Sequence, residues 1–324
     1  MKIIIDTDPG TDDAVAILIA LAHFTDKEIL GITTVAGNVG VKVGTTNALR
    51  ILEQAGRNNI KVFEGESAPL KRELLTAEWV HGTDGLGGVP FPVPSKTEEG
   101  QDAVTFLKDA ISNSEEKVTL CVLGPMTNIG KAISEMPEIV ENIEQIVFMG
   151  GSATGGNTTP AAEFNILVDP DATHIVFHSG VKLVMMGLDV THQAISTSNR
   201  IKNISDTKTK TSELLVGLMS RLANLEIVKK KFPDGTPVHD AFVTAYLVDN
   251  SLTKGNFVNV EVETLSDLTL GQTVVDVNEI SGRDKNVHWM NKVDDDKLFA
   301  IITKTSSLLP VSYTHLTLPT TPYV

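Results

Sequence analysis

The first sixteen residues, Met1-Lys-Ile-Ile-Ile-Asp-Thr-Asp-Pro-Gly-Thr-Asp-Asp-Ala-Val-Ala16, constrain this chain more than any other stretch. An apolar strand through Ile3, Ile4 and Ile5 runs into Asp6 and Asp8, turns at Pro9-Gly10 and enters a helix through Thr11, Asp12 and Asp13. Four carboxylates thus fall where a strand hands over to a helix. Two unit charges about 4 Å apart repel by roughly 4 kcal/mol at an effective dielectric of about 20. A helix N-terminus returns only about 0.3–1 kcal/mol per carboxylate. Backbone geometry cannot offset that repulsion. Either some of these acids are protonated or a divalent cation sits among them, and the cation is the more natural reading.

At 324 residues the chain can bury a sizeable core, as one large α/β domain or two smaller ones. The formal net charge of −14 argues against nucleic acid and anionic membranes as partners, because both require basic patches. With six arginines, all outside the motifs below, a highly phosphorylated substrate fits poorly. The single cysteine, Cys121, lies in the apolar run Val118-Thr-Leu-Cys-Val-Leu123 and reads as a packing residue. No disulfide framework is possible within the chain, which fits a reducing compartment. The apolar run after Met1-Lys2 is too short for a signal peptide, and no stretch is long enough to span a bilayer. The expectation is a soluble, cytoplasmic protein.

Apolar strands and helical patterns alternate through the first two thirds of the chain. Strands are expected at 2–6, 29–35, 61–63, 118–123, 145–149 and 182–187. Helices are expected at 13–24, 41–56 with Gly56 as C-cap, 101–112, 127–135 and 170–178. This alternation predicts an α/β fold, an open, mostly parallel, doubly wound sheet with helices on both faces. The last third predicts helices at 206–231 and 238–249. Short segments near 257–263 and 272–277 are expected as antiparallel strands or a hairpin on the main sheet. A terminal helix is expected to start at Asp294-Asp-Asp296 and run through Ile301. One domain is therefore placed at 1–305, followed by a tail, 306–324, disordered or non-native. Two long glycine-rich loops, 76–95 and 150–163, interrupt the pattern, and the run His81 to Gly88 reads as a mobile lid.

In an open parallel sheet, ligands bind beyond the carboxyl ends of the strands. There stand Asp6 and Asp8, Asn38, the segment Leu123 to Asn128, and then Met149, Asn157, Glu163 and Asn165. Acids and amides at one edge suit a neutral polyhydroxylated ligand together with a cation. Structural roles compete. Thr11 can cap its helix, Asn38 can serve only a turn, and Asn128 is read as supporting a helix start. Glu163 and Asn165 alternate on one side of an extended segment. Asp240 can be a helix-start acid, as can Asp294 to Asp296. His23, His174 and His178 lie on helical patterns and read as structural or exposed.

These segments together resemble the nucleoside hydrolases of the inosine–uridine-preferring type, over Lys2 to about Phe299. The carriers are Asp6-Thr-Asp-Pro-Gly-Thr-Asp-Asp13, Thr33 to Asn38, Leu123 to Asn128, Met149-Gly-Gly151, Ala162-Glu-Phe-Asn-Ile166, Gly187 to His192 and Val238-His-Asp240. The resemblance implies hydrolysis of the N-glycosidic bond of ribonucleosides by a Ca²⁺-bound water, through an oxocarbenium-like transition state. It implies Ca²⁺ held by Asp8, Asp13, Asp240 and the carbonyl of Leu123, an oxygen set that suits Ca²⁺ better than Mg²⁺. Asp12, Asn38 and Asn165 would hold ribose hydroxyls, Asn157 and Glu163 the 5′ end, and Met149 would pack in the ribose pocket. His81 would join the substrate site from the closing loop. Asp8 would be the general base, and His239 would assist departure of the base. A homodimer or homotetramer is expected by the same resemblance.

Two other readings remain open at this level. Asp6-Thr-Asp8 after a strand also resembles the nucleophile motif of haloacid-dehalogenase-like phosphatases, though Gly10 and the doubled Asp12-Asp13 fit it poorly. A Ca²⁺-dependent nucleoside-binding protein without turnover is the other; the presence of both Asp8 and His239 gives it no support.

Overall fold

The computed structural model describes residues 1–309 other than 222, 224 and 225. Ten strands are described: β1 (Lys2–Thr7), β2 (Ile29–Thr34), β3 (Val62–Glu64), β4 (Val118–Val122), β5 (Ile143–Met149), β6 (Leu183–Met186), β7 (Thr253–Val258), β8 (Val260–Val262), β9 (Thr273–Val275) and β10 (Val287–Val293). Eight form one sheet in the order β3-β2-β1-β4-β5-β6-β10-β7. Every neighbouring pair is parallel except β10 with β7. β8 and β9 pair antiparallel as a separate ribbon.

Side-chain alternation explains how this sheet is covered. Ile3 and Ile5 point into one apolar core and Ile4 into another on the opposite face, all three fully buried. The first core is closed by the helices Thr11–His23, Val41–Ala55, Lys210–Arg221, Ala241–Val248 and Asp295–Leu308. The second is closed by Ala103–Ser112, Thr127–Glu135 and Pro170–Phe177. This is the doubly wound α/β architecture expected. Cys121 is buried in the first core, and burial pushes its thiol up to about 12. Gly56 ends its helix in the left-handed region at φ 65°, as its capping role required. No helix among the described residues is long and apolar enough to cross a membrane.

The last third departs from expectation. β10 was missed, because Val287-His-Trp-Met-Asn-Lys-Val293 lacks a clean alternation; it lies between β6 and β7 inside the main sheet. The 257–263 segment divides between β7 and β8, so only its first part joins that sheet. The terminal helix runs to Leu308, past Ile301 and past the boundary placed at 305, because Thr305 and Ser306 continue its buried face. The 206–231 pattern resolves into Lys210–Arg221 and Glu226–Lys231. The tail at 310–324 lies outside the described residues.

Candidate active site

β1 sits where the strand order reverses, flanked by β2 and β4, so its carboxyl end opens into a crevice. Asp8 follows it and is fully buried. Its Oδ2 accepts the backbone N–H of Asn38 at 2.7 Å, while its Oδ1 is buried without a hydrogen-bond partner. Two glycines make room: a Cβ at Gly37 would stand 2.1 Å from Asp8 Oδ2, and one at Gly124 2.4 Å from Asp8 Oδ1.

Asp12 and Asp13 begin the helix Thr11–His23, capped at Gly10 rather than by the Thr11 hydroxyl. Asp13 takes over that work, accepting from the Gly10 N–H at 2.9 Å, the Thr7 hydroxyl at 2.6 Å and the Asn38 amide at 3.0 Å. Thr11 Oγ1 instead lies 3.0 Å from His81 Nδ1. Asp240 immediately precedes the helix Ala241–Val248, which packs against Thr11–His23. Carboxylate oxygens of Asp12, Asp13 and Asp240 lie within 4.8 Å of one another.

Burial raises Asp12 to about 6. Burial and then Asp12 raise Asp13; burial and then Asp13 hold Asp8 well above the usual carboxylate range. Asp240 is raised likewise, by burial and then by Asp12, Asp13, Asp8 and Glu163. Both Asp8 Oδ1 and Asp12 Oδ1 are orphaned buried oxygens. A purely oxygen donor set with unpartnered carboxylate atoms fits a hard divalent cation.

Asp6 does not belong to this group. It is fully buried, with Oδ1 taken by the Thr33 hydroxyl at 2.5 Å and the Asn128 amide at 2.8 Å. Its Oδ2 has no hydrogen-bond partner, but Asp6 does not line the cavity of this site, which gives the phosphatase reading no support. Asn128 also donates to the Thr34 carbonyl at 2.9 Å and accepts from the Glu66 N–H at 2.9 Å. Its role is structural, though as a bridge between strands and loop rather than a helix cap.

Asp12 and Asp240 line a cavity of about 350 Å³ together with Asn38, Leu123, Met149, Asn157, Glu163, Asn165, His81 and His239 among others, while Asp8 and Asp13 lie behind them and do not line it. Glu163 and Asn165 reach it differently than expected. Phe164–Val168 is a short helix, not an extended segment, and the Glu163 carboxylate caps it by accepting the N–H groups of Asn165 at 3.0 Å and Ile166 at 3.2 Å. Glu163 also accepts from the Gly151 N–H at 3.0 Å, and burial still raises it to about 7. The Asn165 amide donates to the carbonyls of Leu123 at 2.7 Å and Met149 at 3.1 Å, tying β4 to β5. Asn157 Oδ1 accepts from the Phe164 N–H at 3.0 Å.

Three histidines stand above the acids. His81 Nδ1 accepts the Thr11 backbone N–H at 3.2 Å, so its ring proton sits on Nε2. Burial lowers His81 to about 4, so at neutral pH its 3.9 Å approach to Asp12 is not an ion pair. Its loop is held by Asn47, whose amide donates to the carbonyls of Pro9 at 3.2 Å and Asp84 at 2.8 Å. His239 Nδ1 lies 2.9 Å from the Thr191 hydroxyl; burial, with His192 and His81 nearby, lowers it to about 3. His192, lowered to about 4 by burial and then Lys231, packs edge-on against His239 at 5.6 Å and beside Phe232 at 5.0 Å.

The sequence assigns contacts to the base to the segments 76–88 and about 220–236 without singling out Trp79 or Phe232, which line the cavity from there; His192 is a lining residue it missed. His192 closes a motif already singled out, Gly187 to His192. Trp79 flanks the glycine-rich run His81 to Gly88, and Phe232 directly follows the basic helix Glu226–Lys231.

A doubly wound sheet with buried acids at its switch point and three uncharged histidines beside them is the frame of a hydrolase of N-glycosyl compounds, as comparison with known proteins shows. The sequence pattern of the inosine-uridine preferring nucleoside hydrolases matches residues 3–300, and the chain belongs to that family. It is 41% identical to the pyrimidine-specific ribonucleoside hydrolase RihA of Shewanella sp. strain MR-7, over 90% of this chain and 92% of that one. It is 42% identical to an uncharacterised protein of Schizosaccharomyces pombe, over 96% and 100%. In structure it matches a purine-preferring ribonucleoside hydrolase from Gardnerella vaginalis with a TM-score of 0.87, 32% identity and coverage of 95% and 99%. Its reaction is hydrolysis of the ribonucleoside N-glycosidic bond.

Proposed function

We propose that the chain hydrolyses pyrimidine ribonucleosides in preference to purine ones, with Ca²⁺ held by Asp8, Asp13, Asp240 and the Leu123 carbonyl. The observation that carries the cation is the gathering of Asp12, Asp13 and Asp240 oxygens within 4.8 Å of one another, with unpartnered buried oxygens on Asp12 and on Asp8 beside them. The RihA relatives named pyrimidine-specific support the substrate preference. When bound, the cation lowers the pKa of a coordinated water and orients ribose hydroxyls.

The residues of this chain supply the rest. Asp12, Asn38 and Asn165 receive ribose hydroxyls, and Asn157 and Glu163 the 5′ end, with Met149 as apolar wall. As the ribose–base bond breaks, positive charge grows on the sugar ring. The surrounding carboxylates stabilise it most in the transition state. Asp8 takes the proton of the attacking water; its unpartnered Oδ1 leaves it a free lone pair. His239 and His81, uncharged at neutral pH, offer N–H groups to the departing base. The resemblance also supports a homodimer or homotetramer working in the cytoplasm.

The test is release of reducing sugar from uridine, cytidine, inosine, guanosine and 2′-deoxyuridine, with Ca²⁺ or with chelator. The expected order is uridine and cytidine first, 2′-deoxyuridine far behind, and no release in chelator. Equal rates on deoxyribonucleosides would overturn the hydroxyl contacts. Faster inosine than uridine would overturn the preference.

A further inference from the structure

We propose a second metal site, outside the catalytic cavity, formed by His174, His178 and Glu261 and suited to Zn²⁺ or a similar borderline divalent ion. His174 lies on the helix Pro170–Phe177, His178 caps its C-terminal end, and Glu261 lies on β8. One ligand atom from each falls within 4.8 Å of the others, and none of the three lines the active-site cavity.

The hydrogen bonding of His178 prepares it as a ligand. Its Nδ1 lies 2.9 Å from the backbone carbonyl of His174, and a carbonyl only accepts, so Nδ1 carries the proton. In the neutral ring Nε2 then bears a lone pair, yet it faces Glu261 Oε2 at 3.2 Å. Two lone-pair atoms that close require a positive charge between them, a second proton or a metal ion. An Nδ1–H held on a backbone carbonyl is the arrangement that orients metal-binding histidines. His174, one helical turn earlier, presents its ring beside that of His178, with centroids 4.3 Å apart and planes tilted by 42°.

Two imidazoles and one carboxylate make an N,N,O set, which favours Zn²⁺, Co²⁺ or Ni²⁺ over the oxygen-seeking Ca²⁺ and Mg²⁺. Tetrahedral ligands about 2.0–2.1 Å from zinc stand about 3.3 Å apart, within reach of small rotations of these surface side chains. The ion would join the helix Pro170–Phe177 to the β8–β9 ribbon. That ribbon carries Thr273, whose hydroxyl donates to the Ser152 carbonyl at 2.7 Å and accepts the Ser152 N–H at 2.8 Å. Occupancy therefore braces the base of the glycine-rich loop that presents Asn157.

The experiment titrates Zn²⁺ into protein saturated with Ca²⁺, by calorimetry and by thermal melting, for the wild type, His178→Ala, Glu261→Gln and Asp240→Asn. The expected result is one zinc equivalent in the wild type, absent in His178→Ala, at least tenfold weaker in Glu261→Gln and retained in Asp240→Asn. Zinc should raise the melting temperature of the wild type and leave that of His178→Ala unchanged. Uridine hydrolysis with Ca²⁺ should be equal in these two proteins. Zinc retained by His178→Ala, or lost by Asp240→Asn, would place the ion elsewhere and overturn the proposal. No zinc equivalent in the wild type would also overturn it, leaving His178 and Glu261 as an ion pair. Failure of the nucleoside reading would appear in sugar release, not in this titration.

Discussion

Asp13 and Asp240 belong to opposite ends of the sequence, yet their carboxylates bring oxygens within 4.8 Å of each other. Helix packing is the cause: Ala241–Val248 lies against Thr11–His23, so two helix starts meet, each with its acids. Without a cation the meeting is unfavourable, and burial with three neighbouring aspartates raises Asp240 far above its ordinary value.

Asp240→Asn keeps the shape and removes one repelling charge. Ribonucleoside turnover should fall by about 10²–10³, the cost of losing one aligned electrostatic contact. In chelator the same variant should melt at a higher temperature than the wild type, because folding no longer has to bury a carboxyl that must first take up a proton. A lower melting temperature in chelator would make Asp240 a packing residue instead.

Stability should depend on pH in a direction opposite to that of most proteins near neutrality. Burial raises Asp6 to about 7, Asp12 to about 6 and Glu163 to about 7. From their ordinary values up to about pH 7 the folded protein binds protons that the unfolded chain has released. Stability therefore falls as pH rises through that window. His81 and His192, lowered to about 4, and His239, lowered to about 3, act oppositely, but only below the ordinary histidine value of 6.5. Above it their opposing effect fades, while Asp8 and Asp240, held well above the usual carboxylate range, continue the fall. The urea midpoint of the metal-free protein should drop between pH 6.5 and 8, and saturating Ca²⁺ should shrink the drop. A midpoint that climbs over that interval would contradict the raised carboxylates.

The sheet was legible because each buried parallel strand is a short apolar run ended by a turn. Asp8, Asp12 and Asp13 were legible because so many charges in one turn have no inexpensive structural role. What could not be read depends on distance in space. Glu163 looks extended by alternation, but its carboxylate finds two free N–H groups and starts a helix. Thr11 looks like a cap, but the N-cap falls one residue earlier, at Gly10, and the Thr11 hydroxyl is held at His81 Nδ1 instead. β10 pairs with β6, far earlier in the chain, and its own residues carry little of that information. The cavity wall of Trp79, His192 and Phe232 is assembled from three segments far apart in the chain, so no local pattern announces it.

The glycines around Asp8 give a sharper test than the acids do. A methyl group at Gly124 would meet Asp8 Oδ1 at 2.4 Å and its Cγ at 2.7 Å, so the carboxylate must turn away. Gly124→Ala should weaken Ca²⁺ binding at least tenfold and cut turnover about a hundredfold, since small displacements of catalytic groups cost that much. Gly40→Ala, where an added Cβ meets nothing within 4 Å, is the matched control and should retain wild-type turnover. Equal activity in both variants would mean that the Asp8 rotamer does not matter.

His239 offers the cleanest separation of binding from chemistry. Burial keeps its ring uncharged down to about pH 3, and the Thr191 hydroxyl 2.9 Å from Nδ1 fixes its orientation. A neutral ring can still give one N–H to a departing base as negative charge gathers there. His239→Ala should lower kcat on uridine by about 10²–10³, the cost of one lost hydrogen-bond donor to developing charge. The loss should be far smaller on a nitrophenyl riboside, whose leaving group departs as a stable anion and needs no proton. Thr191→Val should fall between, because the ring stays but its orientation loosens. Comparable losses on both substrates would assign His239 to shaping the cavity rather than to the leaving group.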